Sequence, residues 1–141
     1  MKHIFMDTNV VIDFLADRRP FSLDAAKIFN LAASDYVRIY ISAVSYNNIY
    51  YVLRQFLSNQ ATIRLLEDLG DLTQIVDVTG NIIRKSLKTD FKDYEDAIQY
   101  YCALAVPEID FIVTRDTKDF KKSSIPVFNP VEALTLMDEM P

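Results

Sequence analysis

The chain has 141 residues, of which 50% are hydrophobic and 25% are charged, so its composition is that of one folded domain and argues against disorder. Its net charge of -5 excludes holding nucleic acid by overall attraction, so a phosphate-bearing partner would need a local arrangement of cations. One cysteine and one histidine exclude an intrachain disulfide and Cys- or His-based metal clusters, which leaves carboxylates to carry any chemistry.

The first half of the chain alternates short apolar runs with amphipathic stretches. Residues 3–6 predict a strand, and Asn9 is predicted to cap a helix over 10–15. Ser22 is predicted to cap a second helix, which Asp35 ends. Residues 37–41 predict a second strand, because they are β-branched and aromatic, and a turn at 42–45 leads into a helix that ends near Leu57.

The second half continues the alternation. A helix over 61–69 is predicted to stop at Gly70, and 74–78 is a third apolar run. Thr79 is predicted to cap a helix through residue 88, and Asp93 a further helix that Pro107 closes. Strands are predicted at 111–114 and 127–128, before a terminal helix over 131–140. The pattern predicts an α/β fold with a mostly parallel sheet of four to five short strands and helices on both faces.

No N-terminal stretch has the basic and apolar regions of a signal peptide, and no run of about 18 apolar residues could span a bilayer. The sequence therefore predicts a cytoplasmic protein that does not enter a membrane.

Three aspartates fall where ligands bind in parallel sheets. Asp7 follows the first strand, Asp116 follows the 111–114 strand, and Asp96 lies in the first turn of the helix after Asp93. Each alone is typical of a cap or an Asx-turn. Acids gathered at one edge repel one another and need a cation, and oxygen ligands select Mg²⁺ or Mn²⁺.

Three segments around these acids resemble the signature segments of the PIN domain, in the same order: MDTNVVID at 6–13, EDAIQ at 95–99 and TRDTKDF at 114–120. The resemblance implies a single PIN-like domain over residues 1–141 and a metal-dependent nuclease, most often a ribonuclease. In many bacterial and archaeal members, such a domain is the toxin of a type II toxin-antitoxin pair (VapC-like). It implies that Asp7, Asp96 and Asp116 are catalytic and hold one or two Mg²⁺ or Mn²⁺ ions.

The resemblance also implies that Thr114 lines the site and that Asp119 sometimes joins it. The chain departs from the family pattern at Asn48, which stands where a glutamate is expected five residues after a serine, here Ser42. One fewer acid should weaken binding of a second ion. Nearby acids that could compensate are Asp93, Glu95, Asp119 and Asp13.

Two further functions therefore stay open beside the ribonuclease. A PIN-fold domain that binds RNA or protein, with weak or lost nuclease activity, would explain Asn48. A phosphatase of the haloacid dehalogenase type is disfavoured, because Asn9 follows Asp7-Thr8 where its motif needs a second aspartate.

The predicted substrate-binding residues are Arg18, Arg19 and Arg115, which with Lys118, Lys121 and Lys122 would form a positive rim for RNA. Ordinary solvated charges are the alternative. The helix after the second strand carries Tyr50 and Leu53 on one face, which favours core packing or a surface for a homodimer or an antitoxin protein.

Overall fold

The computed structural model describes residues 1–138, and within them five strands form one parallel sheet. In chain order the strands are β1 (Lys2–Met6), β2 (Val37–Ser42), β3 (Gln74–Val76), β4 (Phe111–Val113) and β5 (Val127–Phe128). Their order across the sheet is β3-β2-β1-β4-β5, with Ile4 of β1 paired to Ile39 and to Phe111. The predicted α/β fold is confirmed.

Within the described residues, six α-helices lie between the strands and a seventh follows β5. They are α1 (Thr8–Leu15), α2 (Phe21–Ala33), α3 (Ala43–Leu53), α4 (Asn59–Leu72), α5 (Gly80–Leu87), α6 (Tyr94–Leu104) and α7 (Pro130–Asp138), and a 3-10 turn spans Thr117–Phe120. No helix of residues 1–138 combines the length and the apolar character needed to cross a membrane. The predicted helix end at 139–140 lies outside the described residues.

Helices cover both faces of the sheet. Ile4 and Met6 of β1 point into one core, with Val10 of α1 and Ile28 of α2, while Phe5 points into a second core with Ile98 of α6. Because successive strand residues face opposite sides, a strand covered on both faces must be apolar throughout. This explains the unbroken run at 3–6 and confirms the predicted layers.

Two helix starts differ from prediction. The side chain of Asp7, not Asn9, caps α1, since its Oδ1 accepts a hydrogen bond from the Thr8 N–H at 2.8 Å. Asn9 instead reaches across to residues after β4. Helix α2 begins at Phe21, after Pro20, so Ser22 lies inside it and its hydroxyl donates to Asp17 at 2.7 Å. Asn9 and Ser22 were both predicted to cap a helix, and both instead donate hydrogen bonds to side chains outside that helix.

Helix ends were also misplaced in the middle of the chain. Helix α3 ends at Leu53, earlier than the predicted residue 57, and α4 runs through Gly70 to Leu72. Thr73 caps its end, donating a hydrogen bond from Oγ1 to the Leu69 carbonyl at 2.8 Å. The third strand stops at Val76, two residues short of the predicted run. The predicted caps at Thr79 and Asp93 are confirmed.

Candidate active site

The carboxyl ends of β1 and β4 lie side by side and bring Asp7 close to the residues that follow β4. Met6 pairs with Val113, and the Asp7 N–H donates to the Val113 carbonyl at 2.9 Å. Helix α6, which carries Asp96 in its first turn, also reaches this edge, since the Gln99 amide donates to Thr8 Oγ1 at 3.4 Å, and the charges of Asp7, Asp116 and Asp119 act on Asp96. Acids distant in sequence are thus within electrostatic reach of one another.

Asp7 is buried, with 6% of its surface exposed. Its pKa is raised from 3.8 to about 6, mainly by burial and to a smaller extent by the charges of Asp116 and Asp119. Hydrogen bonds to the carboxylate work in the opposite direction: the Thr114 hydroxyl donates to Oδ2 at 2.8 Å, and the Thr8 N–H donates to Oδ1. Asp7 is therefore held in one orientation while its charge is destabilised.

Asp96 is half-buried, and its pKa is raised from 3.8 to about 7. Burial is the largest cause, followed by repulsion from Asp7, Asp93, Asp119 and Asp116. Asp7 and Asp96 thus both have raised pKa values, and perturbed pKa values of this kind cluster at functional sites. Asp93 has a local role as well, since its Oδ1 accepts from the N–H groups of Glu95 at 2.8 Å and Asp96 at 3.2 Å.

Asn9 connects α1 to the segment after β4. Its side-chain amide donates to Asp116 Oδ2 at 3.1 Å and to Thr114 Oγ1 at 3.4 Å. Thr114 Oγ1 also accepts from the Asp116 N–H at 3.1 Å. Asn9 was predicted only as a helix cap, and no sequence signal links it to Asp116, which lies 107 residues away. It fixes the orientation of Asp116, an exposed side chain.

A hydroxyl network joins α1, α3 and α6 beside the acids. Thr8 Oγ1 lies 2.6 Å from Ser45 Oγ, which in turn lies 2.9 Å from Ser42 Oγ. Gln99 of α6 donates to Ser45 at 3.0 Å. These residues were not predicted as site residues. Asn48, which is half-buried, follows Ser45 by three positions and so lies on the same face of α3, one turn farther from its start.

The three predicted arginines all pair with aspartates. Arg115 holds Asp13 with two nitrogens, Nε to Oδ2 and Nη2 to Oδ1 at 3.1 Å. Arg18 lies 3.8 Å from the same carboxylate, which is 1% exposed, and Arg19 lies 3.7 Å from Asp17. These pairs give Arg115 and Arg18 a structural contact to α1. Their part in substrate binding stays a prediction.

The model of the family described as PIN domain matches residues 3–118. The chain belongs to the PIN domain family. The match begins in β1, ends in the 3-10 turn after Asp116, and so includes all three predicted catalytic acids of this PIN domain.

The solved structures that this fold resembles include one described as a toxin-antitoxin complex and one described as a toxin. A toxin-antitoxin complex from Klebsiella pneumoniae is 24% identical, with 90% of this chain and 97% of that chain covered and a TM-score of 0.63. VapBC-1 from nontypeable Haemophilus influenzae is 18% identical, with 92% and 98% covered and a TM-score of 0.68. VapC20 from Mycobacterium tuberculosis, described as a Sarcin-Ricin loop cleaving toxin, is 16% identical, with 77% and 86% covered and a TM-score of 0.59. At these identities the likeness concerns the fold. A comparison with curated protein sequences finds no significant match.

The acids of the PIN domain have the donor chemistry of a site for a hard divalent cation, since all their ligand atoms are oxygen. Within residues 1–138, no three His, Cys, Asp or Glu side chains stand close enough together to hold an ion as they are oriented. Asp7 is fixed by its hydrogen bonds, whereas Asp116 and Asp119 are exposed. An ion at Asp7 and Asp96 would therefore require Asp119 to turn toward it, which its exposure permits, while Asp116 would keep its Oδ2 hydrogen bond from Asn9.

Proposed function

We propose that this PIN domain is a divalent-metal-dependent endoribonuclease that hydrolyses RNA phosphodiester bonds. Asp7, Asp96 and Asp116 would hold Mg²⁺ or Mn²⁺ and act as the catalytic residues. The observation that carries the proposal is the placement of these acids at one sheet edge, where burial and mutual repulsion raise the pKa of Asp7 to about 6 and that of Asp96 to about 7. A cation is the partner that would offset this repulsion.

The residues around the ion would have distinct tasks. A bound divalent ion would lower the pKa of a water molecule and neutralise charge on the phosphate in the transition state. Thr114 would keep Asp7 oriented through its 2.8 Å hydrogen bond, and Asn9 would hold Asp116. Asp119, whose charge acts on both Asp7 and Asp96, would be a further ligand, and Asp93 would contribute through the first turn of α6.

The partners follow from the same proposal. RNA would be the substrate. The fold is shared with toxins solved together with their antitoxins, which supports an antitoxin protein as a partner of this chain. A homodimer, the cytoplasmic location and a single domain over residues 1–141 stay predictions from the sequence.

A second candidate is a PIN-fold domain that binds RNA or protein and has weak or lost nuclease activity. Asn48 favours it, because this residue replaces the acid that the family pattern places on α3. Three aspartates with two divalent ions give a local charge of about +1, whereas four acids would give about zero, so the second ion should bind less tightly. The two candidates differ in metal-dependent turnover.

Cleavage of labelled single-stranded and hairpin RNAs, with Mg²⁺, with Mn²⁺ and with excess EDTA, tests the proposal. The purified chain is expected to cut RNA only with metal, and Asp7→Asn is expected to be inactive. Asp68→Asn, which removes one exposed carboxylate from α4, is the matched control and should keep full activity. Cleavage in EDTA, or by Asp7→Asn at the wild-type rate, would refute the proposal. RNA binding without cleavage would favour the second candidate.

A further inference from the structure

A cleft opens between the segment before α6 and the segment after β4. Its volume is about 370 Å³, and its lining includes Asp96 and Asp119 of the proposed site. Four lysines also line it: Lys92 from the first segment, and Lys118, Lys121 and Lys122 from the second. Only the last three are near one another in sequence. The fold adds Lys92 and places all four beside the acids.

These lysines differ from the arginines in their pairing. Lys122 lies 3.7 Å from Asp90. Across residues 1–138, Lys92, Lys118 and Lys121 have no carboxylate within ion-pair distance, whereas Arg18, Arg19 and Arg115 each have one. All four lysines are exposed. A phosphate could therefore reach three ammonium groups without displacing a carboxylate from them.

The charge of the cleft would depend on the metal. Its lining contains four lysines and four aspartates, namely Asp90, Asp93, Asp96 and Asp119, so its formal charge is close to zero. A divalent ion at Asp96 would make it positive, beside a protein whose net charge is -5. The cleft would then attract a polyanion locally, on a protein whose overall charge repels one.

An aromatic ring supplies the apolar part of the lining. Phe91 is half-buried, and its ring stacks on Tyr100 with centroids 5.0 Å apart and planes inclined by 26°. It also contacts Phe120 edge-on at 6.1 Å. The ring is thus fixed by its neighbours while part of it stays accessible. A group of exposed lysines beside an accessible aromatic ring is the combination with which proteins hold single-stranded nucleic acid.

We propose that this cleft binds the phosphate backbone of the RNA strand next to the cleaved bond, with Lys92, Lys118 and Lys121 as the phosphate contacts. The proposal rests on the proposed function, because it places the strand relative to the acids. It assigns substrate binding to the cleft lysines and not to the three arginines, which pair with Asp13 and Asp17. The strand would then pass from the acids into the cleft and over Phe91.

Salt-dependent binding tests this assignment. A fluorescent single-stranded RNA with nuclease-resistant phosphorothioate linkages is titrated with the wild-type protein in Mn²⁺ at several KCl concentrations, and anisotropy gives the Kd. Each lost phosphate contact should reduce the slope of log Kd against log salt by about 0.7. Replacing Lys92, Lys118 and Lys121 by Gln should therefore reduce the slope by about 2. With unmodified RNA, the same triple variant should raise KM for RNA cleavage more than it lowers kcat.

The matched control replaces three exposed cations outside the cleft, Lys27, Arg64 and Lys85, by Gln, which changes the net charge equally. It should leave the slope unchanged. An equal loss in both triple variants, or no measurable RNA binding by the parent protein, would overturn the proposal. So would polyglutamate competing as well as unlabelled RNA, which would indicate a general anion surface. If RNA is not cleaved but the two triple variants still differ in salt slope, the nuclease proposal alone is refuted. If RNA is cleaved but the two triple variants have the same salt slope, the cleft proposal alone is refuted.

Discussion

Replacing Asp7 by Asn should change how stability depends on pH. The folded-state pKa of this carboxyl is about 6, against 3.8 as its ordinary value. The fold therefore favours the protonated form. The stability that this carboxyl contributes is fully present below pH 3.8, is lost as the pH rises toward 6, and stays lost above it. Asp7→Asn removes the carboxylate charge, so the variant should not lose stability over this pH range.

The size of the effect follows from the pKa difference of about two units. At about 1.4 kcal/mol per unit, ionisation of Asp7 costs about 3 kcal/mol of unfolding free energy in the absence of metal. The side chain is only 6% exposed, so solvent screening removes little of this. Asp96 is repelled by Asp7 and should also titrate more readily in the variant, which adds to the same difference.

Urea unfolding followed by circular dichroism, with EDTA and between about pH 4 and pH 8, measures both proteins. Asp7→Asn should be more stable than the wild type above pH 6, by up to about 3 kcal/mol, and the advantage should vanish near pH 4. Mn²⁺ should narrow the difference at pH 7 by stabilising the wild type alone. Two stability curves that stay parallel from pH 4 to pH 8 would refute the reasoning, because they would mean that Asp7 carries no unfavourable charge.

Three further changes test individual contacts. Arg115→Leu leaves Asp13 buried without its main partner and should lower the unfolding free energy, measured in urea, by about 3 to 5 kcal/mol. Adding Asp13→Asn should restore part of the lost free energy. An unchanged urea midpoint for Arg115→Leu would contradict the role of this pair. Thr114→Val removes the hydroxyl that donates to Asp7, so the pKa of Asp7 should rise further in an NMR titration, and a lower value would contradict the hydrogen bond. Asn48→Asp adds a carboxylate on α3 and should tighten Mn²⁺ binding in calorimetry, while equal affinity would mean that this position lies outside the ion's reach.

The sheet was predictable because its central strand has no polar face. Residues 4–6 are apolar at every position, since Ile4 and Met6 enter one core and Phe5 enters the other. Asp7 then has to lie at the carboxyl edge, and this fixes the place of the candidate site. The same logic located the end of β4, where Thr114 is buried against Asp7.

Helix boundaries were less predictable, because short polar side chains have several partners within reach. Asn9 is a reasonable cap in sequence, yet Asp7 is two residues earlier and takes the Thr8 N–H. Asn9 is then available to donate to Asp116 across the sheet edge. No local pattern distinguishes the two outcomes, since the decision depends on a residue 107 positions away.

The charged residues show the same limit at larger scale. Arg115 and Asp13 are separated by 102 positions, and only the fold brings them into a two-point contact in which Asp13 is buried. Sequence proximity grouped Arg115 with Lys118 and Lys121 as one rim, although the fold turns the arginine toward α1 and leaves the lysines facing the cleft. Arg115 is separated from the lysines because the buried carboxylate of Asp13 needs a cationic partner, whereas an exposed lysine needs no partner.

The segment from 114 to 122 therefore does three things within nine residues. Thr114 orients Asp7, Arg115 ties the segment to Asp13 of α1, and the lysines that follow line the cleft. Contacts to Asp7 and to α1 hold the start of this segment in place, and this sets where the following lysines lie relative to the acids. A chain with net charge -5 can then bind a polyanion without being basic, provided that an ion occupies the acids and the strand enters from the lysine side. Under this proposal, the local charge at the cleft, which is set by contacts between residues distant in sequence, decides polyanion binding more than the net charge of the protein does.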